Sequence, residues 1–406
     1  MKSTPTVRLA RLSQHVTATA LVPSSSTSPP VPLEQRPQVC RLYPNSPFGC
    51  SVAGVDLRRP LGFGAALQLA AALREHSVLV LRNQPLSDTE QLAFTREMAQ
   101  ALDTVLEPVH RVNGLQDVQS SEALADSRYL SKISNLSVDG KPIPPDDVRA
   151  IYNAGNQLWH SDSSFKRVSA MASCLAARSS MRNFAGGDTE FVSGRQALAR
   201  LPPRLRVGER TLTRDDLRLL VGVHDLGFSR GLLVAQWGEE RPWATELPPS
   251  RHPLVAPSPS SWSLETLFVG AHLSAIEGLG LSLEEGRELI KLLNTHTTQP
   301  PATQPDLTVR HRWRQHDLVI YDNTCCLHRG RPWVSTGDAT RDMVRTTLMG
   351  KGDGALGYHD VARTPLPPPE RAERLALLRA VGVEFRGGDD GAHYYAPVTA
   401  DLRVPR

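Results

Sequence analysis

The segment Trp159-His160-Ser161-Asp162-Ser163-Ser164-Phe165 contains a histidine and an aspartate separated by one residue. On an extended strand, side chains two residues apart point to the same face. The His160 imidazole and the Asp162 carboxylate can therefore be directed at one point. Such a pair is typical of metal ligands on a strand, but a hydrogen-bonded histidine and aspartate produce the same pattern. A third ligand must come from elsewhere in the chain.

A second polar cluster follows an apolar run far along the chain. A buried strand that ends in an Asp-Asn turn is predicted for Asp317-Leu318-Val319-Ile320-Tyr321-Asp322-Asn323. His328 lies five residues beyond that turn. Two histidines and one carboxylate with open positions form the facial triad of non-haem iron(II) oxygenases. His160, Asp162 and His328 are therefore candidates for catalytic metal ligands, and folding would have to bring them together.

Short apolar stretches broken by Gly, Pro, Asn and Asp dominate the chain from about Ile133. Strands are predicted at 77–81, 171–176, 190–192, 232–235, 267–269, 317–321 and 343–349. Helices are predicted at 64–75, after a capping box at 87–90, and near 214–221, 283–293 and 370–381. This pattern predicts a mainly β protein with flanking helices and a double-stranded β-helix core, a jelly-roll of the cupin-like kind.

Two arginines, Arg341 and Arg345, follow His328. If this stretch is a strand, their even spacing places both guanidinium groups on one face, roughly 13 Å apart. A buried arginine is suited to bidentate recognition of a carboxylate. Taken alone, the pair could also be two surface arginines on an edge strand.

In this order, the motifs resemble the family of taurine and 2,4-dichlorophenoxyacetate dioxygenases, which depend on Fe(II) and 2-oxoglutarate. The resemblance extends over about residues 51–350. Its landmarks are Val55-Asp56-Leu57, 155–165, 186–191 and 321–332. The segment around His160 is most similar to the dichlorophenoxyacetate branch.

The resemblance implies a role for each matching residue. His160, Asp162 and His328 would hold the metal. Thr189 and Arg341 would bind the distal carboxylate of 2-oxoglutarate. The residues that would contact the substrate are Arg345, which would meet an anionic group, the backbone around Ser163, and Asn156.

The same resemblance implies a reaction. The expected cofactors are Fe(II), 2-oxoglutarate as cosubstrate and O2, with ascorbate as a reductant. The enzyme would hydroxylate a small organic acid, such as an aryloxyacetate or another carboxylate, and release succinate and CO2. A sulfonate or purine substrate for the same chemistry stays open, as does a non-catalytic barrel that only binds ligands.

One position departs from the family pattern. Where the family often presents a basic residue to the substrate, this chain has Glu107, and His110 and Arg111 are the basic residues that could replace it. A shared pocket with Glu107 would repel an acid and favour a cationic or donor-rich group. The identity of the substrate therefore stays open.

Composition limits the partners. Of the formal net charge of +4, Lys2, Arg8 and Arg11 supply +3 before the first acidic residue, Glu34. The rest of the chain lacks the basic face of a nucleic-acid binder. No apolar run reaches the roughly 18 residues of a membrane span. We expect a small-molecule substrate, no nucleic acid and no membrane, and leave a homo-oligomer open.

Residues 1–38 are predicted to be a separate segment before a dioxygenase domain at 39–355 and an extension at 356–406. Few acidic residues and many Ser, Thr and Pro make the first segment either a disordered tail or a transit peptide. The odd number of cysteines, five, favours a reducing compartment. We expect a cytoplasmic enzyme, or a mitochondrial or other organellar one if the tail is a transit peptide. Residues 239–263, rich in Pro and Ser, are expected to form a surface loop.

Overall fold

The first two helices are close to their predicted positions, and a capping box sets the start of the second. Helix α1 spans Phe63–His76 and α2 spans Asp88–Leu102. The predicted capping box is present: the Ser87 hydroxyl accepts from the Glu90 backbone N–H at 3.2 Å, and the Glu90 carboxylate accepts from the Ser87 backbone N–H at 2.8 Å. Such a cap stabilises a helix by about 1 kcal/mol.

The computed structural model describes residues 35–109, 127–137, 140–141, 143, 153, 155–178, 185–234, 247–257, 265–300, 307–331, 333–334, 340–351 and 369–382. These residues belong to one unit, Glu34–Arg406. Residues 1–34 of the predicted tail, most of the predicted extension, and His110 and Arg111 lie outside the described residues.

Five further helices are described. They are α3 (Gly194–Arg200), α4 (Arg214–Arg218), α5 (Leu226–Val234), α6 (Leu283–Thr298) and α7 (Arg371–Ala380). Short 3-10 helices cover Ser127–Tyr129 and Gly155–Gln157. Within the described ranges, none of the helices combines the length and hydropathy of a membrane span.

The largest sheet has eight strands. In spatial order its path is β1 (Gln38–Arg41), β2 (Cys50–Ala53), β3 (Val78–Leu81), β17 (Leu318–Asp322), β6 (Ala170–Ala177), β20 (Met343–Gly350) and β4 (Thr104–Leu106), with β5 (Ser131–Lys132) also paired to β20. Its pairs are antiparallel except β2 with β3. Distant parts of the sequence thus become neighbours in one sheet.

The other strands form smaller sheets. A three-stranded sheet contains β16 (Thr308–His311), β8 (Thr189–Ser193) and β18 (Cys326–Gly330), and another contains β12 (Ser250–Pro253), β11 (Val221–His224) and β15 (Leu273–Glu277). Two-stranded sheets pair β9 (Arg204–Val207) with β10 (Arg210–Thr213), β13 (Val255–Pro257) with β14 (Glu265–Leu267), and β7 (Ala185–Gly186) with β19 (Trp333–Val334). The protein is therefore mainly β, with helices around the sheets.

Alternating side chains give the largest sheet two different faces. On β17, Leu318 and Ile320 pack in one core cluster with α1 and α2, whereas Val319 and Tyr321 pack in another with β8, β16 and β18. Because side chains alternate along a strand, every second residue of β17 lies between the two sheets. The space between these sheets is where the predicted site residues converge.

Several predicted elements are confirmed. The predictions at 64–75, 171–176, 190–192, 283–293 and 343–349 each fall inside a helix or strand of the predicted type. The strand predicted at 232–235 is wrong, because residues up to Val234 belong to α5. The side chain of Asp225 accepts from the Gly227 backbone N–H at 2.7 Å and begins that helix. A short apolar run does not distinguish strand from helix.

Two other predictions need correction. The expected surface loop at 239–263 contains strands β12 and β13; on β12 buried Ser250 and His252 alternate with half-buried Arg251 and Pro253. That alternation marks a strand despite the Pro- and Ser-rich composition. The helix expected near 214–221 ends at Arg218, since the β-branched residues after it form β11.

Candidate active site

His160 and His328 lie directly opposite one another on two antiparallel extended segments. The His160 backbone N–H donates to the His328 carbonyl at 3.0 Å, and the His328 N–H donates to the His160 carbonyl at 2.8 Å. Cross-strand neighbours share a face, and the two ring centroids are 4.3 Å apart. Folding therefore brings together two histidines that are far apart in the sequence.

Asp162 completes the group. Its Oδ1 lies 3.8 Å from the His160 Nε2 and 3.7 Å from the His328 Nε2. One ligand atom from each residue can be chosen so that all lie within 4.8 Å of one another, and all three residues are buried. A separation of about 8 Å would have excluded a shared ion. The observed geometry instead permits one ion between the three side chains.

The histidines have the protonation that metal binding needs. The His160 Nδ1 donates to the Leu158 carbonyl at 2.6 Å, which leaves Nε2 without a proton and directed toward Asp162. Burial lowers the pKa of His160 to about 4 and that of His328 to about 3. Both imidazoles are therefore neutral near pH 7, the form that binds metal ions.

The Asp162 carboxylate is held on both oxygens. Ser173 and Tyr321 donate their hydroxyls to Oδ2 at 2.8 and 2.9 Å, and the Arg345 guanidinium donates to Oδ1. Burial would raise the pKa of Asp162, but Arg345 and the two histidines more than offset it, so the pKa is below its usual value. A carboxylate oxygen has two lone pairs, so Oδ1 can accept from Arg345 and still bind an ion.

A further network fixes the backbone around Asp162. The Asn323 side-chain oxygen accepts from the Asp162 backbone N–H at 3.2 Å, and its amide donates to the Ser173 hydroxyl at 2.9 Å. The Ser161 hydroxyl donates to the Asn323 carbonyl at 2.6 Å. Ser173 and Tyr321 were missed by sequence reasoning; the only available signal was their position on predicted strands.

Arg341 is buried, and none of the described acidic residues pairs with it. Its guanidinium makes long contacts to the carbonyls of Ile133, at 3.5 Å, and Gly187, at 3.4 Å. Within the described ranges, its Nε–H has no acceptor. Burial lowers the pKa of Arg341 to about 10. A cation held in this way is a site for an anion, because an unpaired buried charge is costly.

Thr189 lies two residues after Gly187, which Arg341 contacts. The Trp313 indole N–H donates to the Thr189 hydroxyl at 2.9 Å, so the hydroxyl oxygen is already an acceptor and its proton can be donated to a ligand. Thr189 is buried on β8. The loop that Arg341 contacts thus leads into the strand that carries Thr189.

The predicted substrate residues are placed differently from one another. Arg345 contacts Asp162, a pairing that the sequence did not predict. Burial would lower the pKa of Arg345, but the nearby acids, Asp162 above all, raise it. Asn156 is half-buried in the 3-10 helix before His160, and its carbonyl lies near Gly330. Ser163 has a left-handed backbone, φ 53°, and its hydroxyl donates to Glu107 at 2.7 Å.

The adjacent cysteines do not contribute to this group. Cys325 and Cys326 are buried, and burial raises the pKa of both thiols. Cys325 donates to the Ser77 hydroxyl and Cys326 to the Asp322 carbonyl. In the part of the chain that the structure describes, the three-residue cluster with metal-ligand geometry is His160, Asp162 and His328.

A mainly β fold with two neutral histidines and one ionised carboxylate around a shared point defines a class: proteins able to hold one metal ion with open positions. Comparison with known proteins gives the family. Residues 41–347 match the family model "Taurine catabolism dioxygenase TauD, TfdA family", and the chain belongs to that family.

The sequence similarity to curated relatives extends over most of their length. The chain is 36% identical over 303 residues to the alpha-ketoglutarate-dependent 2,4-dichlorophenoxyacetate dioxygenase of Cupriavidus pinatubonensis, covering 74% of this chain and 94% of the relative. It is 29% identical over 297 residues to the (S)-phenoxypropionate/alpha-ketoglutarate-dioxygenase of Sphingobium herbicidovorans, covering 71% and 88%.

A solved structure supports the same conclusion. The crystal structure of AAD-2 in complex with Mn(II) and N-oxalylglycine is similar with a TM-score of 0.61 at 31% identity, covering 78% of this chain and 98% of AAD-2. The chain is a 2-oxoglutarate-dependent non-haem iron dioxygenase, and it uses Fe(II), 2-oxoglutarate and O2. The expected family and chemistry are confirmed. These comparisons favour the enzyme over the alternative of a non-catalytic barrel that only binds ligands.

Proposed function

We propose that this dioxygenase hydroxylates an aryloxyacetate-like carboxylate with Fe(II) held by His160, Asp162 and His328. The observation that carries the proposal is the buried group whose three ligand atoms lie within 4.8 Å of one another. Its donors fit iron, since two neutral imidazoles and one carboxylate leave coordination positions for other ligands. When bound, Fe(II) would couple the reduction of O2 to the oxidative decarboxylation of 2-oxoglutarate, which gives succinate and CO2, and to the hydroxylation of a C–H bond, with one oxygen atom entering each product.

The cosubstrate assignment rests on Arg341. We assign the distal carboxylate of 2-oxoglutarate to Arg341 and Thr189, because no described acid pairs with the buried guanidinium and the Thr189 proton can be donated. A charge-assisted hydrogen bond to that carboxylate would relieve the burial cost of the arginine. The buried site also excludes water, which strengthens this contact.

The substrate assignment rests on Arg345 and the relatives. Arg345 is about one-fifth exposed, and its Nε–H has no acceptor among the described residues, so it retains a donor for a substrate carboxylate. The relatives are named for 2,4-dichlorophenoxyacetate and (S)-phenoxypropionate, which are aryloxy carboxylates. We place Asn156 and the backbone of Ser163 beside this substrate.

The surrounding residues hold the acidic ligand in place. Ser173 and Tyr321 occupy Oδ2 of Asp162, so Oδ1 is the oxygen directed toward both histidines. Groups that orient a metal ligand in this way fix its geometry and tune its basicity. We expect Asp162 to bind through Oδ1.

We propose a double-stranded β-helix core formed by the largest sheet and the β16–β8–β18 sheet. Support comes from the core cluster that packs between them. The domain is assigned to residues 39–355, with segments at 1–38 and 356–406. Five free cysteines favour a reducing compartment such as the cytoplasm. We also propose that the enzyme can form a homo-oligomer, which sedimentation would detect as a mass above that of one chain.

A substrate panel tests the activity. Purified enzyme with Fe(II), ascorbate and 2-oxoglutarate is incubated with aryloxyacetates, alkylsulfonates and purines, and succinate release is measured above the background without substrate. We expect aryloxyacetates to give the highest kcat/KM. The highest value with a sulfonate or a neutral purine would contradict the carboxylate assignment and leave the dioxygenase chemistry intact.

A further inference from the structure

Glu107 lies on the same face of the largest sheet as Arg345. Its backbone N–H donates to the Thr347 carbonyl at 2.8 Å, one position beyond the paired residues Leu106 and Leu348. Glu107 is therefore opposite Thr347, and Thr347 shares a face with Arg345 two residues earlier on β20. Diagonal neighbours of this kind have Cα atoms about 7–8 Å apart, within reach of long side chains.

The segment after Asp162 holds one oxygen of Glu107. The left-handed backbone of Ser163 turns the chain, and the Lys166 N–H donates to the Ser163 carbonyl at 2.9 Å. The Ser163 hydroxyl and the Lys166 ammonium both donate to Oε1 of Glu107. Glu107 is thus fixed by residues that immediately follow a proposed metal ligand.

Among the described residues, the other carboxylate oxygen of Glu107 has no hydrogen-bond partner. Glu107 is only 5% exposed, and within the described part of the chain its Oε2 accepts no hydrogen bond. The Nε–H of Arg345 likewise has no acceptor there. A buried polar group that stays unpaired is destabilising. One sheet face therefore carries a buried acceptor and a buried donor, neither of which has a partner in the described part of the chain.

The charges around these two atoms set the class of ligand. Arg345 and Lys166 are cations, and Asp162 and Glu107 are anions, so the four side chains carry no net charge. A ligand between Arg345 and Glu107 therefore fits when it offers an acceptor, such as one carboxylate, to the arginine and a hydrogen-bond donor to the acid. The unpaired Oε2 requires a hydrogen-bond donor on the same ligand, since buried acceptors are normally satisfied.

We infer that Glu107 is a specificity-determining residue that selects substrates carrying a hydroxyl or ammonium donor in addition to the carboxylate. This inference rests on the proposed function, because it places the substrate carboxylate at Arg345. The contact with Lys166 keeps the Glu107 carboxylate aligned. The basic residue expected at position 107 is thus replaced by an acid–base pair that recognises a polar substituent.

Matched ligands test the inference. The holoenzyme with Fe(II) and 2-oxoglutarate, without O2, is titrated calorimetrically with the 2-, 3- and 4-isomers of hydroxyphenoxyacetate and aminomethylphenoxyacetate and with the methylphenoxyacetates as donor-free controls. At least one donor-bearing isomer should bind about tenfold more tightly than its methyl counterpart. Preference for the hydroxyl or the aminomethyl series identifies a neutral or a cationic donor.

Variants assign the preference to Glu107. Glu107→Gln should reduce it about tenfold, whereas the exposed Glu284→Gln in the first turn of α6 should leave it unchanged. Two results would overturn the inference and leave the proposed function intact. In one, the wild-type enzyme binds acids without donor preference; in the other, the Glu107→Gln enzyme keeps the preference. Donor preference among the corresponding neutral amides but no binding of acids would retain the role of Glu107 and contradict the carboxylate proposal. No binding of any compound would overturn both.

Discussion

Arg341 and Arg345 lie four residues apart beside and within the same strand, yet their surroundings differ. We call Arg341 with Gly187 and Thr189 the Arg341 end, and Arg345 with Asp162 and Glu107 the Arg345 end. At the Arg341 end burial lowers the arginine pKa, and among the described residues no acid offsets this effect. At the Arg345 end Asp162 and other groups raise it despite burial.

This difference indicates two kinds of recognition. The Arg341 end has a cation that needs an anion from outside the protein, as expected for a cosubstrate present in every turnover. The Arg345 end already has its acid, so a substrate there must compete or share with Asp162 and Glu107. Affinity at the first end should depend on one contact, whereas selectivity at the second should depend on several.

The largest effect should come from removing the acid that the Arg345 end shares with the proposed metal site. Asp162→Ala should abolish detectable succinate formation and weaken Fe(II) binding by more than about 100-fold, beyond the usual cost of losing a group that only orients a ligand. Anaerobic Fe(II) titration and a succinate assay measure both. The control is Asp56→Ala, a partly exposed acid paired with Arg58. Normal activity of Asp162→Ala would show that the carboxylate is not a ligand.

The two ends should respond to separate ligands. Arg341→Ala should raise the KM for 2-oxoglutarate about tenfold or more, since a lost charge-assisted hydrogen bond costs about 1.5–3 kcal/mol. Arg345→Ala should weaken substrate binding by about 2–5 kcal/mol with little change for 2-oxoglutarate. Steady-state kinetics, with 2-oxoglutarate and substrate varied in turn, gives the KM of each variant for each ligand. If each variant affected both ligands equally, the division into two ends would be wrong.

The metal-free protein should distinguish the two ends by stability. Arg345→Met should lower the free energy of unfolding by about 2 kcal/mol, less than the 3–5 kcal/mol of a fully buried pair, because Arg345 is partly exposed and Ser173 and Tyr321 still hold Asp162. Arg341→Met should raise it by about 1 kcal/mol, since a buried charge without an acid is removed. Urea denaturation with EDTA measures both values; shifts of the same sign would contradict the contrast.

The smallest effect should come from the donors to Oδ2 of Asp162. Tyr321→Phe removes one hydroxyl and should weaken Fe(II) binding about tenfold, at the low end for groups that orient a metal ligand. The matched control, Tyr43→Phe, removes a hydroxyl that donates to the Thr308 carbonyl outside this site. Equal Fe(II) affinity in both variants would mean that Tyr321 does not position Asp162.

Sequence patterns predicted the parts of this site that depend on local spacing. The turn after Tyr321 and the position of Arg345 on β20 agree with the predicted strands. The His160–Asp162 interval was interpreted as part of a strand, but His160 forms an isolated bridge and Asp162 lies in the turn that follows it. Arg341 precedes β20 by two residues. The pairing of His160 with His328 required the family resemblance, since nothing local links residues so far apart. The same holds for Thr189 beside the loop that Arg341 contacts.

Contacts between distant segments could not be predicted in this way. The bonds from Ser173 and Tyr321 to Asp162, and from Lys166 to Glu107, depend on which strands become neighbours. The sequence predicted that Arg345 binds the substrate and did not predict its bond to Asp162. That bond depends on the pairing of β20 with β6, whose Ser173 holds Asp162. The helix at α5 was mispredicted because its apolar run is too short to show a period.

A crystal structure with Mn(II) and N-oxalylglycine tests the central claim most directly, because it locates the metal and the cosubstrate analogue together. We predict Mn(II) bound by the Nε2 atoms of His160 and His328 and by Oδ1 of Asp162, at about 2.0–2.3 Å. One carboxylate of N-oxalylglycine should lie on Arg341 and Thr189, leaving Arg345 to the substrate. Metal bound elsewhere, or the analogue held by Arg345 in place of Arg341, would contradict the account.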